Sequence, residues 1–123
     1  VQRKMFRVAH SVWLEGFGRL EVKVVEAAGL CAADLQVLNR HSDPYVVIEV
    51  EGQKRRTEHI LRSLHPRWNE TFHLRLRCPW APLRLWIYDW DRFKGDDFLG
   101  VCEVLGEKIC RLQPEVPVRG WLR

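Results

Sequence analysis

Apolar and polar residues alternate with a period of two in several separate stretches of the chain. Leu20, Val22 and Val24 alternate with the charged residues Glu21 and Lys23, as a half-buried β-strand requires. Similar alternation, or a β-branched or polar extended run, recurs in six later stretches: 45–50, 53–60, 71–76, 83–88, 98–105 and 116–122. Turn residues separate these runs, and no amphipathic helix is convincing. The pattern predicts an antiparallel β-sandwich of about seven recognisable strands.

The N-terminal residues are less informative. Residues 5–9 and 12–14 are compatible with an additional strand or with a short helix, because periodicity does not separate the two in runs this short. The sequence Gly16-Phe17-Gly18 precedes a strand instead of following one, which indicates a turn and not a phosphate-binding loop. We therefore predict an N-terminal extension over residues 1–17, with a possible extra strand, and one domain over residues 18–123.

Composition narrows the class of protein. A chain of 123 residues with 46% hydrophobic and 29% charged residues is typical of one globular domain, and no apolar run approaches the roughly 20 residues of a membrane span. The net charge of +4 is modest. Because the chain begins at Val1 without a leader-like segment, we expect a piece of a longer, cytoplasmic protein.

The four cysteines are Cys31, Cys78, Cys102 and Cys110, and no two of them form a C-x-x-C motif. This spacing favours buried free thiols of a reducing compartment over a disulfide framework or a zinc site.

Acidic residues are concentrated at the end of one predicted strand. Four aspartates fall within nine positions there: Asp89, Asp91, Asp96 and Asp97. Like charges held this close repel one another unless a cation lies among them, and calcium accepts six to eight oxygen ligands in irregular geometry. An EF-hand is excluded, because the twelfth position counted from Asp89 is Gly100, where that motif requires Glu.

A second acidic loop completes this candidate site. The loop between Asp34 and Asp43 and the loop between Asp89 and Asp97 both follow odd-numbered strands of the predicted series, so both emerge at the same end of a sandwich. Their oxygen donors are sufficient for two calcium ions. The predicted donors are five carboxylates and two main-chain carbonyls: Asp34, Asp43, Asp89, Asp91 and Asp97, with the carbonyls of Ala33 and Trp90.

Several segments together resemble the C2 domain of protein kinase C, the synaptotagmins and the extended synaptotagmins. The resemblance covers roughly residues 18–100 and rests on four motifs: Gly29-Leu30 with Asp34, Ser42-Asp43-Pro44-Tyr45-Val46, Trp68-Asn69-Glu70-Thr71-Phe72 after Pro66, and Asp89-Trp90-Asp91 with Asp97-Phe98-Leu99-Gly100. It implies an all-β fold, an eight-stranded antiparallel Greek-key β-sandwich. It also implies that the same five aspartates bind calcium, two from the first loop and three from the third.

The resemblance further implies a function. A C2 domain of this kind is a non-enzymatic module that binds anionic phospholipid membranes, such as those containing phosphatidylserine, when calcium is present. We expect a peripheral membrane module of a larger signalling or membrane-trafficking protein, monomeric as an isolated domain. The apolar residues expected to enter the membrane are Leu35, Val37, Leu38, Trp90 and Phe93, although Val37 and Leu38 can alternatively fold inwards and cover the loop base.

Other functions are compatible with parts of the sequence. Lys54 and Arg56 lie where related domains carry lysines that bind phosphoinositide head groups, but Glu58 follows them. The basic segment 53–60 is typical of a charged edge strand, so a calcium-independent protein-interaction or scaffold domain remains the alternative. Nucleic-acid binding is disfavoured, because the basic residues are not accompanied by aromatic side chains on which nucleobases could stack, and the acidic loop would repel a phosphate backbone. The five histidines are scattered and suggest no catalytic group.

Overall fold

A computed structural model describes residues 7–15, 18–28, 43–61, 63, 65–78, 81–105 and 118–121. It contains eight strands in these ranges: β1 (Arg7–Glu15), β2 (Arg19–Ala28), β3 (Pro44–Val50), β4 (Gln53–Arg56), β5 (Arg67–Arg75), β6 (Leu83–Asp89), β7 (Asp97–Val104) and β8 (Val118–Trp121). They form two four-stranded sheets, with the orders β5-β2-β1-β8 and β4-β3-β6-β7. The six strand pairs are all antiparallel. The all-β sandwich predicted from the alternation is confirmed.

Strand β1 resolves the ambiguity of the N-terminal residues. Residues 7–15 pair with β2 at nine positions, from Arg7 opposite Ala28 to Glu15 opposite Arg19, and the same strand pairs with β8 on its other side. The short apolar runs are therefore strand, and partners distant in sequence select that conformation. Within the described ranges, no helix has the length and apolarity that crossing a membrane requires.

The core lies between the two sheets and consists of the inward positions of the alternating runs. Val22, Val24, Ile48, Leu85 and Ile87 are each 0% exposed. Burying a side chain of this kind contributes about 1.5–3 kcal/mol relative to leaving it in water. These residues therefore hold the two sheets face to face and, through them, the loops at each end.

Strand β4 lies at the edge of its sheet, as its charged residues predict. A two-residue turn, Glu51-Gly52, connects it to β3, and both residues have positive φ, at 50° and 77°, as in the type I′ turns that suit hairpins. The Glu51 carboxylate also accepts hydrogen bonds from the main-chain N–H groups of Arg77 and Cys78, at 2.7 and 2.8 Å. This one residue therefore links the hairpin to the connection that follows β5.

The two described cysteines are free thiols. Cys102 is buried, which raises the pKa of its thiol, because burial disfavours the charged thiolate. Cys78 is exposed, so the expectation of buried thiols is wrong for this residue. It follows the end of β5, where the chain turns over the surface. Cys31 and Cys110 lie outside the described residues.

The turn before β2 depends on Gly18. Its φ is +93°, and its carbonyl accepts a hydrogen bond of 2.7 Å from the N–H of Leu76. A Cβ atom at this position would lie 2.5 Å from the Leu76 carbonyl oxygen, closer than a carbon can approach backbone. Gly18 therefore allows the start of β2 to approach the segment that follows β5.

We expect Gly18→Ala to lower the free energy of unfolding more than Gly52→Ala does. Both glycines have positive φ, but an added Cβ at Gly52 meets no atom within 4 Å. The Gly52 substitution should cost about 1 kcal/mol from backbone strain alone, and the Gly18 substitution about 2–3 kcal/mol. Urea denaturation of both variants measures this. Equal losses would show that the Leu76 carbonyl moves aside without cost.

Candidate functional site

Three aspartates that are distant in sequence meet at one end of the sheet that contains β3, β6 and β7. Asp89, the last residue of β6, is the register partner of Pro44 at the start of β3 and of Asp97 at the start of β7. Asp43 immediately precedes Pro44. We call this region, residues 43 and 89–97, the acidic end. Antiparallel pairing brings these residues together, because the start of one strand lies beside the end of its neighbour.

A contact between the sheets aligns the acidic end with the end of β2. The indole N–H of Trp68, on β5, donates a hydrogen bond of 3.2 Å to the carbonyl of Pro44, on β3 of the other sheet. Within the first sheet, the N–H of Ala27 near the end of β2 donates to the carbonyl of Pro66, just before β5, at 3.0 Å. Trp68 is buried, with 7% of its surface exposed. Both sheets are thereby joined where β2 leads into residues 29–42, which lie outside the described part of the chain.

Asp89 occupies the centre of the acidic end. Its Oδ1 accepts a hydrogen bond of 2.8 Å from the N–H of Asp43, and the N–H of Trp90 donates in return to the carbonyl of Asp43 at 3.0 Å. Burial, and then repulsion by the carboxylates of Asp43, Asp97 and Asp91, raise the pKa of Asp89, while the Asp43 N–H opposes this shift. The neighbouring carboxylates are therefore close enough to raise one another's electrostatic energy.

The loop after Asp89 is organised by Asp91. Its Oδ1 accepts hydrogen bonds from the N–H groups of Phe93 and Lys94, at 2.8 and 3.2 Å, in the manner of an Asx turn. The Phe93 N–H is the main cause of the lowered pKa of Asp91. One oxygen of Asp91 therefore shapes the loop.

Asp96 has a structural role that the sequence did not reveal. Its Oδ1 accepts a hydrogen bond from the N–H of Asp91 at 3.0 Å, and its Oδ2 accepts one from the hydroxyl of Tyr45. The bond to Tyr45 is the largest cause of the lowered pKa of Asp96. Burial, together with the same bond, raises the pKa of Tyr45 to about 12. Asp96 thus ties the loop to β3.

The sequence model of the family described as "C2 domain" matches residues 18–123. The chain belongs to the C2 domain family. C2 domains are binding modules for membrane lipids or for other proteins, which agrees with a site made of loops at one end of a rigid sandwich.

Individual relatives support this assignment. The C2 domain is 36% identical over 83 residues to Protein C2-DOMAIN ABA-RELATED 10 of Arabidopsis thaliana, covering 68% of this chain and 44% of that protein. It is 36% identical over 94 residues to Multiple C2 and transmembrane domain-containing protein 1 of Homo sapiens, covering 76% of this chain and 9% of that protein. The chain therefore spans less than half the length of either relative.

A solved structure is similar over the whole fold. A RIM C2 domain from Drosophila superimposes with a TM-score of 0.80, at 20% sequence identity, over 99% of this chain and 100% of that one. At this identity the likeness concerns the fold alone. It supports the sandwich architecture independently of the motifs.

The described part of the C2 domain contains four of the five predicted calcium ligands, namely Asp43, Asp89, Asp91 and Asp97. Their oxygen donors are of the type that calcium prefers, and register places three of them side by side. Within the described residues, however, no three Asp, Glu, His or Cys side chains are arranged to hold a metal ion together. The remaining predicted donors and tip residues lie outside the described residues: Ala33, Asp34, Leu35, Val37 and Leu38.

The two described apolar residues of the third loop differ in position. The Phe93 side chain is 91% exposed, whereas the Trp90 ring stacks on His59 with centroids 4.2 Å apart and planes 8° apart. One face of the Trp90 ring therefore packs on the segment after β4, while the Phe93 side chain is almost fully exposed; the entry of Trp90 into a membrane stays a prediction. Leu61 is 64% exposed and follows Ile60, whose N–H bonds to the carbonyl of Pro44, so it is a further apolar residue near this end that the sequence pattern did not reveal.

The two predicted head-group residues have partners within the protein. Lys54 pairs with Glu49 at 3.7 Å, and the guanidinium of Arg56 lies 3.9 Å from the ring centroid of Tyr45. Lys54 is the register partner of Glu49. The positive charge of β4 is thus partly compensated by a carboxylate on the adjacent strand.

Aromatic residues occupy the outer face of the β3–β6–β7 sheet. The ring of Tyr45 stacks on that of Tyr88 with a centroid separation of 5.6 Å. The ring centroid of Phe98 lies 6.0 Å from those of both Trp86 and Tyr88. Phe98 is 52% exposed. The sequence places Trp86 and Tyr88 on the outward side of the alternation, but only the pairing of the strands gathers the four rings into one aromatic face.

We expect Tyr45→Phe to lower the free energy of unfolding by about 1 kcal/mol, because Asp96 loses a hydrogen bond near the surface. The amide of Asp91, which donates to the same carboxylate, should exchange with deuterium faster. Tyr88→Phe is the matched control, since Tyr88 lies in register with Tyr45 and its hydroxyl has no hydrogen bond among the described residues. Equal effects of the two variants would contradict the proposed tie between Asp96 and β3.

Proposed function

We propose that this C2 domain binds anionic phospholipid membranes in a calcium-dependent manner, through the acidic end. The main support is that strand register holds Asp89 beside Asp97 and the Asp43 N–H bonds to its carboxylate, at a position where burial and then the neighbouring carboxylates raise its pKa. A cluster of carboxylates held in place by buried strands favours a bound cation, because opposite charge removes their mutual repulsion.

The candidate calcium ligands are oxygen donors from the first and third loops. They are the carboxylates of Asp34, Asp43, Asp89, Asp91 and Asp97, with the main-chain carbonyls of Ala33 and Trp90. Bound calcium supplies positive charge and open coordination positions for lipid phosphate oxygens. Without it, the carboxylates of the acidic end repel an anionic membrane, and this difference makes membrane binding depend on calcium.

Apolar side chains near the acidic end provide the second part of membrane binding. Phe93 is almost fully exposed and lies between Arg92 and Lys94, so its ring can enter the membrane while the flanking charges contact phosphates. Burying such a ring contributes about 1–2 kcal/mol. We propose the same role for Leu35, Val37 and Leu38 of the first loop. We also propose a secondary phosphoinositide contact for Lys54 and Arg56, which would contribute about 1 kcal/mol per basic side chain.

We propose further that residues 18–123 form the C2 domain, that residues 1–17 are an N-terminal extension, and that the isolated domain is monomeric. The match of the family sequence model to residues 18–123 supports this boundary. In the parent protein, the domain would act at the cytoplasmic surface of a membrane. The name of the human relative, which includes a transmembrane domain, is compatible with that location.

The Asp89→Asn/Asp91→Asn double variant should abolish calcium-dependent sedimentation with phosphatidylserine-containing liposomes. Removing two carboxylates weakens calcium binding and leaves lipid-facing apolar residues in place. The wild-type melting temperature should also rise by several degrees in calcium relative to chelator, because a ligand that binds the folded state stabilises it, and the variant should lose this rise. Sedimentation of wild-type protein that is equal at all calcium concentrations would refute the proposal.

Phe93→Asp should weaken liposome binding in calcium by about tenfold, which corresponds to the roughly 1–2 kcal/mol of lost burial. Its calcium affinity in solution, measured by calorimetry, should change little, because the Phe93 side chain is exposed. The matched control is Leu105→Asp, since Leu105 is 44% exposed beyond the other end of β7. If Leu105→Asp weakens liposome binding equally, the loss reflects added negative charge and not membrane entry by Phe93.

A second candidate function is calcium-independent binding of a protein partner. The aromatic face supports it, because half-exposed Phe98 and the partly buried rings of Trp86 and Tyr88 beside it form an aromatic surface bordered by charges, which is typical of protein interfaces. Arg84, which pairs with Glu49 and Glu103, borders this face. A melting temperature that is the same in calcium and in chelator, together with the absence of liposome binding, would favour this function.

A further inference from the structure

A pair of arginines lies on the outer face of the other sheet, near the end opposite the acidic end. Arg19 at the start of β2 is the register partner of Arg75 at the end of β5, and the next outward pair is Glu21 with His73. All four side chains are exposed. Two arginines therefore face each other directly across an antiparallel pair.

This arrangement is electrostatically unfavourable by itself. Like charges directly opposite on neighbouring strands are destabilising. The ion pairs among the described residues involve Lys54, Arg67 and Arg84 and do not include Arg19 or Arg75. Glu21 is aligned with His73 one outward position away. Within the described side chains, the two guanidinium groups thus lack an ion-pairing carboxylate.

The same residues surround a cavity. Its volume is about 300 Å³, and it is lined by Arg19, Leu20, Glu21, His73, Leu74 and Arg75. Leu20 and Leu74 are 1% and 3% exposed, so they anchor this part of both strands in the core. The backbone that carries the two arginines is consequently held in place, so binding a ligand orders their side chains and not the strands.

We propose that this cavity binds a phosphate ester. Guanidinium groups present planar forks of N–H donors that match phosphate oxygens, and an anion between Arg19 and Arg75 would remove their repulsion. The His73 ring adds a further polar group beside them. Strand β2 has ten residues, which separates Arg19 from the acidic end by about 30 Å. The site is therefore distinct from the acidic end and requires no calcium.

The phosphate ester can belong to a soluble molecule or to a lipid head group. The test uses the whole chain in chelator, so that failure of the calcium proposal does not affect it. The two probes are inositol 1,4,5-trisphosphate, measured by calorimetry, and liposomes containing phosphatidylinositol 4,5-bisphosphate, measured by sedimentation. Binding of both probes indicates that the phosphate group alone suffices, and binding of the liposomes alone assigns the site to a membrane lipid.

The Arg19→Gln/Arg75→Gln variant should reduce affinity for the bound probe at least tenfold while its melting temperature without ligand stays equal or rises. Arg55→Gln/Arg67→Gln removes the same charge elsewhere and should retain binding. Glu15→Gln alters the β1 register partner of Arg19 and should not abolish binding. Failure of both probes to bind wild-type protein, or equal loss in the two double variants, would overturn the proposal.

Discussion

The register of β3, β6 and β7 is the constraint on which the acidic end depends. Val46 and Ile87 are register partners, and both are 0% exposed, so a slip of one residue would turn apolar side chains towards water. Asp89 follows Ile87 by two positions and cannot move away from Asp97 without disrupting this pairing. Burial in the core thus holds together carboxylates that repel one another.

Local hydrogen bonds make this arrangement stable. A register shift between Ile87 and Tyr88 allows Leu99 to be buried while Phe98 faces outward, which is a common role of β-bulges near functional sites. The hydroxyl of Tyr45 and the N–H groups around Asp91 then satisfy carboxylate oxygens. The loop is therefore shaped mainly by its own aspartates, and the same residues are the candidates for binding calcium.

The two outer faces of the sandwich differ in chemistry. The β3–β6–β7 sheet presents clustered aromatic rings and a largely compensated set of charges, whereas the β2–β5 pair presents two opposed arginines beside a cavity. Binding at one face leaves the other accessible, because the core separates them. The proposed membrane site in the loops and the proposed phosphate site are therefore compatible with simultaneous binding.

The sequence by itself predicted the strands from β2 to β8, mainly because alternation marks which side chains must be buried, and it identified the acidic residues that follow β6. Only the tertiary structure decided that residues 7–15 form a strand, because non-local pairing with β2 and β8 selects that conformation. It also decided that Trp90 stacks on His59 and that Asp96 bonds to Tyr45, 51 positions away. The local alternation of apolar and polar residues indicates which face of a sheet a side chain occupies. The residues that it contacts depend on how strands distant in sequence pair.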